Sequence, residues 1–95
     1  MVYVLVTLSE NQDGIESLCE YKKRAKEIRD ENGAEDVSKM TIKERLVGNF
    51  EDESIRILKF PSVEDVKKWL SDPRYKEIIP LRNNGYKNVT VSILE

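Results

Sequence analysis

The chain has no histidine and only one cysteine, and none of its apolar runs is long. Without an imidazole there is no Ser–His or Cys–His dyad, no imidazole zinc site and no His-ligated haem. A lone Cys19 permits no intrachain disulfide and suits a reducing cytoplasm. Nothing approaches the roughly 20 apolar residues that a membrane span needs. The apolar start Met1–Leu8 is also too short for a secretion signal. Basic excess is missing too: 16 basic against 18 acidic residues leave a net charge of −2, which argues against a dedicated surface for nucleic acid or anionic membrane. The four glycines form no phosphate loop. The run Glu51-Asp52-Glu53 cannot converge on one ion as a calcium loop does. No metal and no cofactor are expected.

What remains is one small soluble domain of 95 residues, 39% hydrophobic and 36% charged. A first strand runs Val2 to Leu8, with Val2, Val4, Val6 and Leu8 on one face and Tyr3, Leu5 and Thr7 on the other. Asn11–Gly14 turns the chain, and Asp13 with Glu16 fits a capping box. The helix that follows carries Ile15, Leu18, Tyr21, Ala25 and Ile28 as one stripe and ends at Asn32-Gly33. A second strand, about Val37 to Val47, places Met40, Ile42 and Leu46 against Thr41, Lys43, Arg45 and Val47. Gly48 to Ser54 reads as a polar loop. A third strand, Ile55 to Phe60, sets Ile55 and Ile57 against Arg56, Leu58 and Phe60. Ser62 with Asp65 caps a short helix bearing Val63, Val66, Trp69 and Leu70. Asp72-Pro73 opens another helical segment, with Tyr75, Ile78 and Ile79, that lasts until Pro80. The last strand, Val89 to Leu94, alternates Val89, Val91 and Ile93 with Thr90, Ser92 and Leu94.

Strand, helix, strand, strand, helix, strand is the ferredoxin-like α+β order, a four-stranded antiparallel sheet with its helices on one face. The other face is expected to hold Tyr3, Leu5, Lys43, Arg45, Arg56, Leu58 and Phe60 among polar neighbours. Such a patch is too apolar to stay in water, so it is expected to meet a second copy of the chain, sheet against sheet.

Phe60-Pro61-Ser62, the run Trp69 to Tyr75, and Ile79-Pro80-Leu81-Arg82, with Tyr21, Gly33 and Gly48, give the chain its likeness. It resembles domain-of-unknown-function family 1330 over nearly its whole length. The sequence departs from that pattern at Leu70, Asp72, Asn32 and Val47. The resemblance implies the dimeric α+β barrel superfamily, whose relatives include small cofactor-independent monooxygenases and isomerases. The family itself has no established reaction, so the resemblance leaves open whether the chain is an enzyme.

The candidate ligand residues are Tyr21, Trp69, Tyr75 and Arg82. Arg82 would hold a carboxylate or phosphate, the phenols would orient it, and Trp69 would wall the pocket. The run Lys22 to Lys26 is compensated by Glu20, Glu27, Asp30 and Glu31 and reads as a solvated helix face. Three readings follow. The preferred one is a cytoplasmic homodimer that binds a small organic acid or aromatic compound between helices and sheet. The second is a cofactor-independent oxygenase or isomerase, which would lack a histidine base. The third is a monomer that binds RNA or protein on its sheet face, for which Tyr3 and Phe60 are the only stacking candidates.

Overall fold

The computed structural model describes residues 1–95. Its elements are β1 (Val2–Glu10), α1 (Ile15–Glu31), β2 (Glu35–Thr41), β3 (Ser54–Phe60), α2 (Val63–Ser71), α3 (Pro73–Gly85) and β4 (Tyr86–Leu94). The strands form one antiparallel sheet in the order β2-β3-β1-β4, with the two outer strands joined to the centre by helical crossovers. This is the ferredoxin-like arrangement. No helix is long and apolar enough to cross a membrane.

Local chemistry sets most of the boundaries. Ser62 Oγ accepts the Asp65 N–H at 3.2 Å and donates to the Asp65 carboxylate at 2.8 Å, so Ser62 caps α2 as its sequence predicts. Asp72 accepts the Arg74 N–H at 2.8 Å, with Pro73 in the first turn of α3. The end of α1 closes through Gly33, whose φ of 78° is the left-handed value glycine tolerates. Its start differs from the expected Asp13–Glu16 box. A single 3-10 turn, Gln12–Gly14, precedes α1, and Asn11 caps that turn by accepting the Asp13 N–H. Asn11 also donates to the Asn84 carbonyl at 2.9 Å. A Cβ on Gly14 would fall 2.0 Å from that carbonyl oxygen, so only glycine permits this close approach to the end of α3. Helix α3 itself runs through Pro80 to Gly85 rather than stopping at the proline.

The core lies between the helices and one sheet face. Val4, Val6 and Leu8 of β1 pack with Leu18, Tyr21, Ala25 and Ile28 of α1, Val66 and Trp69 of α2, and Tyr75 and Ile78 of α3. Ile15, expected in the α1 stripe, is half exposed because the helix starts there, beyond the edge of the core.

Two expectations about the sheet are corrected. Antiparallel partners point to the same side, and β3 pairs Arg56 with Val6, Leu58 with Val4 and Phe60 with Val2. Arg56, Leu58 and Phe60 therefore face the helices, and Leu58 and Phe60 are fully buried there. Strand β2 ends at Thr41, since β3 begins only at Ser54 and offers no ladder beyond it. Lys43 and Arg45 thus lie in the 42–53 loop and not on the sheet. Arg45 ties that loop together by donating to the carbonyls of Phe50 and Asp52.

The open face is consequently built from Tyr3 and Leu5 of β1, Met40 of β2, Ile55 and Ile57 of β3, and Leu94 of β4. Tyr3, Met40 and Leu94 are exposed, and so are Leu46, Val47 and Phe50 of the loop. Leu58→Ala is expected to cost about 2–5 kcal/mol in chemical denaturation, as a truncation in a helix-covered core does. Ser62→Ala is expected to cost about 1 kcal/mol through loss of the α2 cap. A near-neutral Leu58→Ala would put that side chain back on the open face.

Candidate functional site

The four residues singled out from sequence do meet in space. Tyr21 of α1 and Tyr75 of α3 share a hydrogen bond between hydroxyls at 2.9 Å, and their rings pack edge to face. Trp69 of α2 meets Tyr75 edge-on and stacks on Phe60 of β3 at 5.6 Å. Arg82 reaches back two turns along α3 to donate to the Tyr75 hydroxyl at 3.2 Å, its guanidinium 5.9 Å from the ring centre.

Only two of the four touch a cavity, however. A small, partly open space of about 20 Å³ lies between the helices and the sheet. Its apolar walls come from Val6, Leu8, Leu58, Val89 and Val91, and its aromatic walls from Tyr21, Trp69 and Tyr86. Tyr75 sits behind Tyr21, and Arg82 lies beyond Tyr75. The cations that line the cavity are instead Arg29 and Arg56.

Arg29 is in the last turn of α1 and is 5% exposed, an unusual place for a guanidinium. Helix α1 buries Leu18, Tyr21, Ala25 and Ile28, and one further step of four from Ala25 lands on residue 29. The Arg29 guanidinium stands 5.8 Å from the Trp69 ring centre, and its nearest counter-ion is Asp36 at 3.8 Å. Burial pushes it below the ordinary arginine range and the Arg56 charge adds to this, while Asp36 opposes both. It stays charged at any physiological pH. Arg56 projects from the middle of β3 to the same Asp36 carboxylate at 3.5 Å.

The polar groups of the cavity are all donors or protonated phenols. The Trp69 indole N–H is buried with no acceptor in the protein. Tyr21 is pushed well above the ordinary phenol range, first by burial and then by the neighbouring Tyr75. Burial also raises Tyr86, against the lowering effect of Arg56. None of the lining side chains is a base at neutral pH. The arrangement suits holding an anion rather than moving a proton.

Sequence reasoning did not place Arg29, Arg56 and Tyr86 at a cavity, and it set Arg56 on the open face. The first was legible as a charge on the apolar period of α1. The second was hidden because β3 is apolar on both faces, so the side of Arg56 depended on pairing register alone.

The family model described as "Domain of unknown function (DUF1330)" matches residues 1–95. None of the curated proteins matches the chain. Among solved structures, a protein of unknown function from Rhodopseudomonas palustris superposes with a TM-score of 0.83 at 18% identity, covering 98% of this chain and 79% of its own. A dimeric ferredoxin-like protein of unknown function from Jannaschia sp. CCS1 gives 0.72 at 13% identity, covering 99% and 97%. A dimeric protein of unknown function with a ferredoxin-like fold from Bacteroides fragilis gives 0.63 at 10%, covering 99% and 94%. At these identities the likeness is one of fold.

The buried phenols set an alkaline limit. Their folded pKa values lie above the ordinary value of about 10, so the folded chain holds these protons more tightly than the unfolded one. Their stabilisation is complete below about pH 10 and is lost as pH rises further. Tyr21→Phe is expected to make the decline of stability between about pH 10 and 11.5 shallower, at a cost of about 1 kcal/mol at pH 7 for the lost hydroxyl pair. An unchanged alkaline slope in denaturant titrations would contradict this.

Proposed function

The chain belongs to the DUF1330 family, a domain of unknown function, and from that premise we propose that it is a homodimeric small-molecule-binding module of the dimeric α+β barrel type. The observation that carries the reading is the cavity between helices and sheet, where a buried cation, a second arginine and an unpartnered indole N–H meet three aromatic rings. Interiors without a ligand role rarely leave a buried indole N–H without an acceptor, because an unmade hydrogen bond costs free energy there. The ligand is a small organic acid or aromatic compound. A reducing cytoplasm fits the lone, exposed Cys19.

Self-association is supported by the apolar open face and by two structural neighbours described as dimeric. The molecule is a slab of 36 × 32 × 16 Å, whose broad faces exceed the roughly 800 Å² per partner that a stable interface buries. Stacking of RNA bases is disfavoured on this face, since Phe60 lies in the core and Tyr3 is the one aromatic left. Oxygenase or isomerase chemistry lacks a cavity base.

Light scattering is expected to give twice 11.1 kDa, and Ile57→Asp, on the open face, to give monomer with its secondary structure intact. A wild-type monomer at micromolar concentration contradicts the assembly. In a thermal-shift screen of small acids, phenols and their neutral analogues, a compound at ten times its Kd is expected to raise Tm by about 5–10 °C. A screen in which nothing stabilises the protein contradicts the cavity reading.

A further inference from the structure

Arg29 and Arg56 bring two positive charges to one end of the cavity and share one counter-ion. An Nη2 of each approaches the same oxygen of Asp36, at 3.8 and 3.5 Å, and the Asp36 side chain remains 51% exposed. Those are long contacts for guanidinium and carboxylate, which close to about 2.7–2.9 Å when well paired. Lys39 stands directly opposite Arg56 across the β2–β3 ladder. The cluster therefore keeps a net positive charge with Asp36 counted, and it is loosely held.

A third donor belongs to the same place. The indole of Trp69 lies beside Arg29, is 2% exposed and has an N–H without an acceptor. Two guanidinium forks and an orphan N–H around one space match a group that only accepts, and an ionised carboxylate accepts through two oxygens with about four lone-pair directions. The cavity holds about one water-sized group, so it admits one oxygen of a ligand's head and not its body. The body has a place outside. Arg56 is also the inner wall of a surface groove of about 250 Å³ bordered by Asp36, Val37, Ser38 and Lys39.

Resting on the cavity reading above, we propose that the ligand is a small monocarboxylate. Its head displaces the Asp36 carboxylate from between Arg29 and Arg56 and accepts the Trp69 indole N–H, and its body lies in the Asp36–Lys39 groove. A monoanion is favoured over a dianion because the displaced Asp36 stays at the rim and repels a second negative charge.

Trp69 is the sole tryptophan and walls the site, so its fluorescence reads occupancy directly. The test titrates the full-length protein with acetate, propionate and benzoate against acetamide, propionamide and benzamide, at constant ionic strength set with chloride. The acids are expected to give saturable changes, with affinities about tenfold or more above those of the matched amides. Arg56→Gln is expected to reduce that preference to about threefold or less. Asp36→Asn, an exposed change that leaves the core untouched, is expected to tighten carboxylate binding by removing the competitor. Amides that bind as well as acids would overturn the carboxylate assignment and leave the cavity reading standing, whereas no saturable response to either series would overturn both. Unchanged affinity in Asp36→Asn would overturn the seating between the arginines, even should Arg56→Gln fail to fold.

Discussion

The sheet has two apolar faces and the chain has helices for one of them. Everything else in the molecule follows from that imbalance. On the covered side, Val4, Val6, Leu8, Leu58 and Phe60 meet the stripes of α1, α2 and α3 and form the core. On the other side no helix covers Tyr3, Leu5, Met40, Ile55, Ile57 and Leu94: Tyr3, Met40 and Leu94 are exposed, and Leu5, Ile55 and Ile57 are partly buried. A contiguous patch of that kind marks an interaction surface in a soluble domain. The proposed dimer would cover it with no new sequence, because a two-fold pairing presents the same strip to itself.

The same imbalance places the cavity. Helices α1 and α2 cover the centre of the sheet, but the edge strand β2 is exposed along nearly its whole length. At that border the helical layer runs out, and polar groups replace apolar ones. Arg29 comes from the end of α1 and Arg56 from β3, and they meet over Asp36 at the start of β2. Deeper in, the aromatic group of Tyr21, Trp69, Tyr75 and Tyr86 packs at angles that leave one indole N–H unpaired. Charge at the border and an orphan donor inside give the site its polarity. The phenols, held protonated by burial, serve as walls and donors.

Much of this was legible in the residues. The element order, the Ser62–Asp65 cap, the Asp72-Pro73 start and the two faces of β1 and β4 rest on local rules that hold without knowledge of the tertiary fold. Faces were not legible where alternation carried no contrast. In β3 both Ile55 with Ile57 and Leu58 with Phe60 are apolar, and only pairing with Val4 and Val2 decides between them. The run from Ile42 to Val47 continues the alternation of a strand, yet it has no partner strand to pair with and becomes loop. Arg82, an anion ligand by residue type, donates to the Tyr75 hydroxyl and lies outside the cavity lining. Arg29 lines the cavity from a position that reads, on the helix period, as core.

Cys19 is exposed on α1, away from the open sheet face, and is the one thiol to which a nitroxide label can be attached. Dipolar spectroscopy on that labelled protein measures directly how two copies are arranged. Sheet-to-sheet pairing puts the helices on the outside. A single interspin distance near or above about 30 Å is then expected, from sheets about 10 Å apart with a helix layer on either side. A distance under about 20 Å, or no dipolar modulation at all, would contradict it.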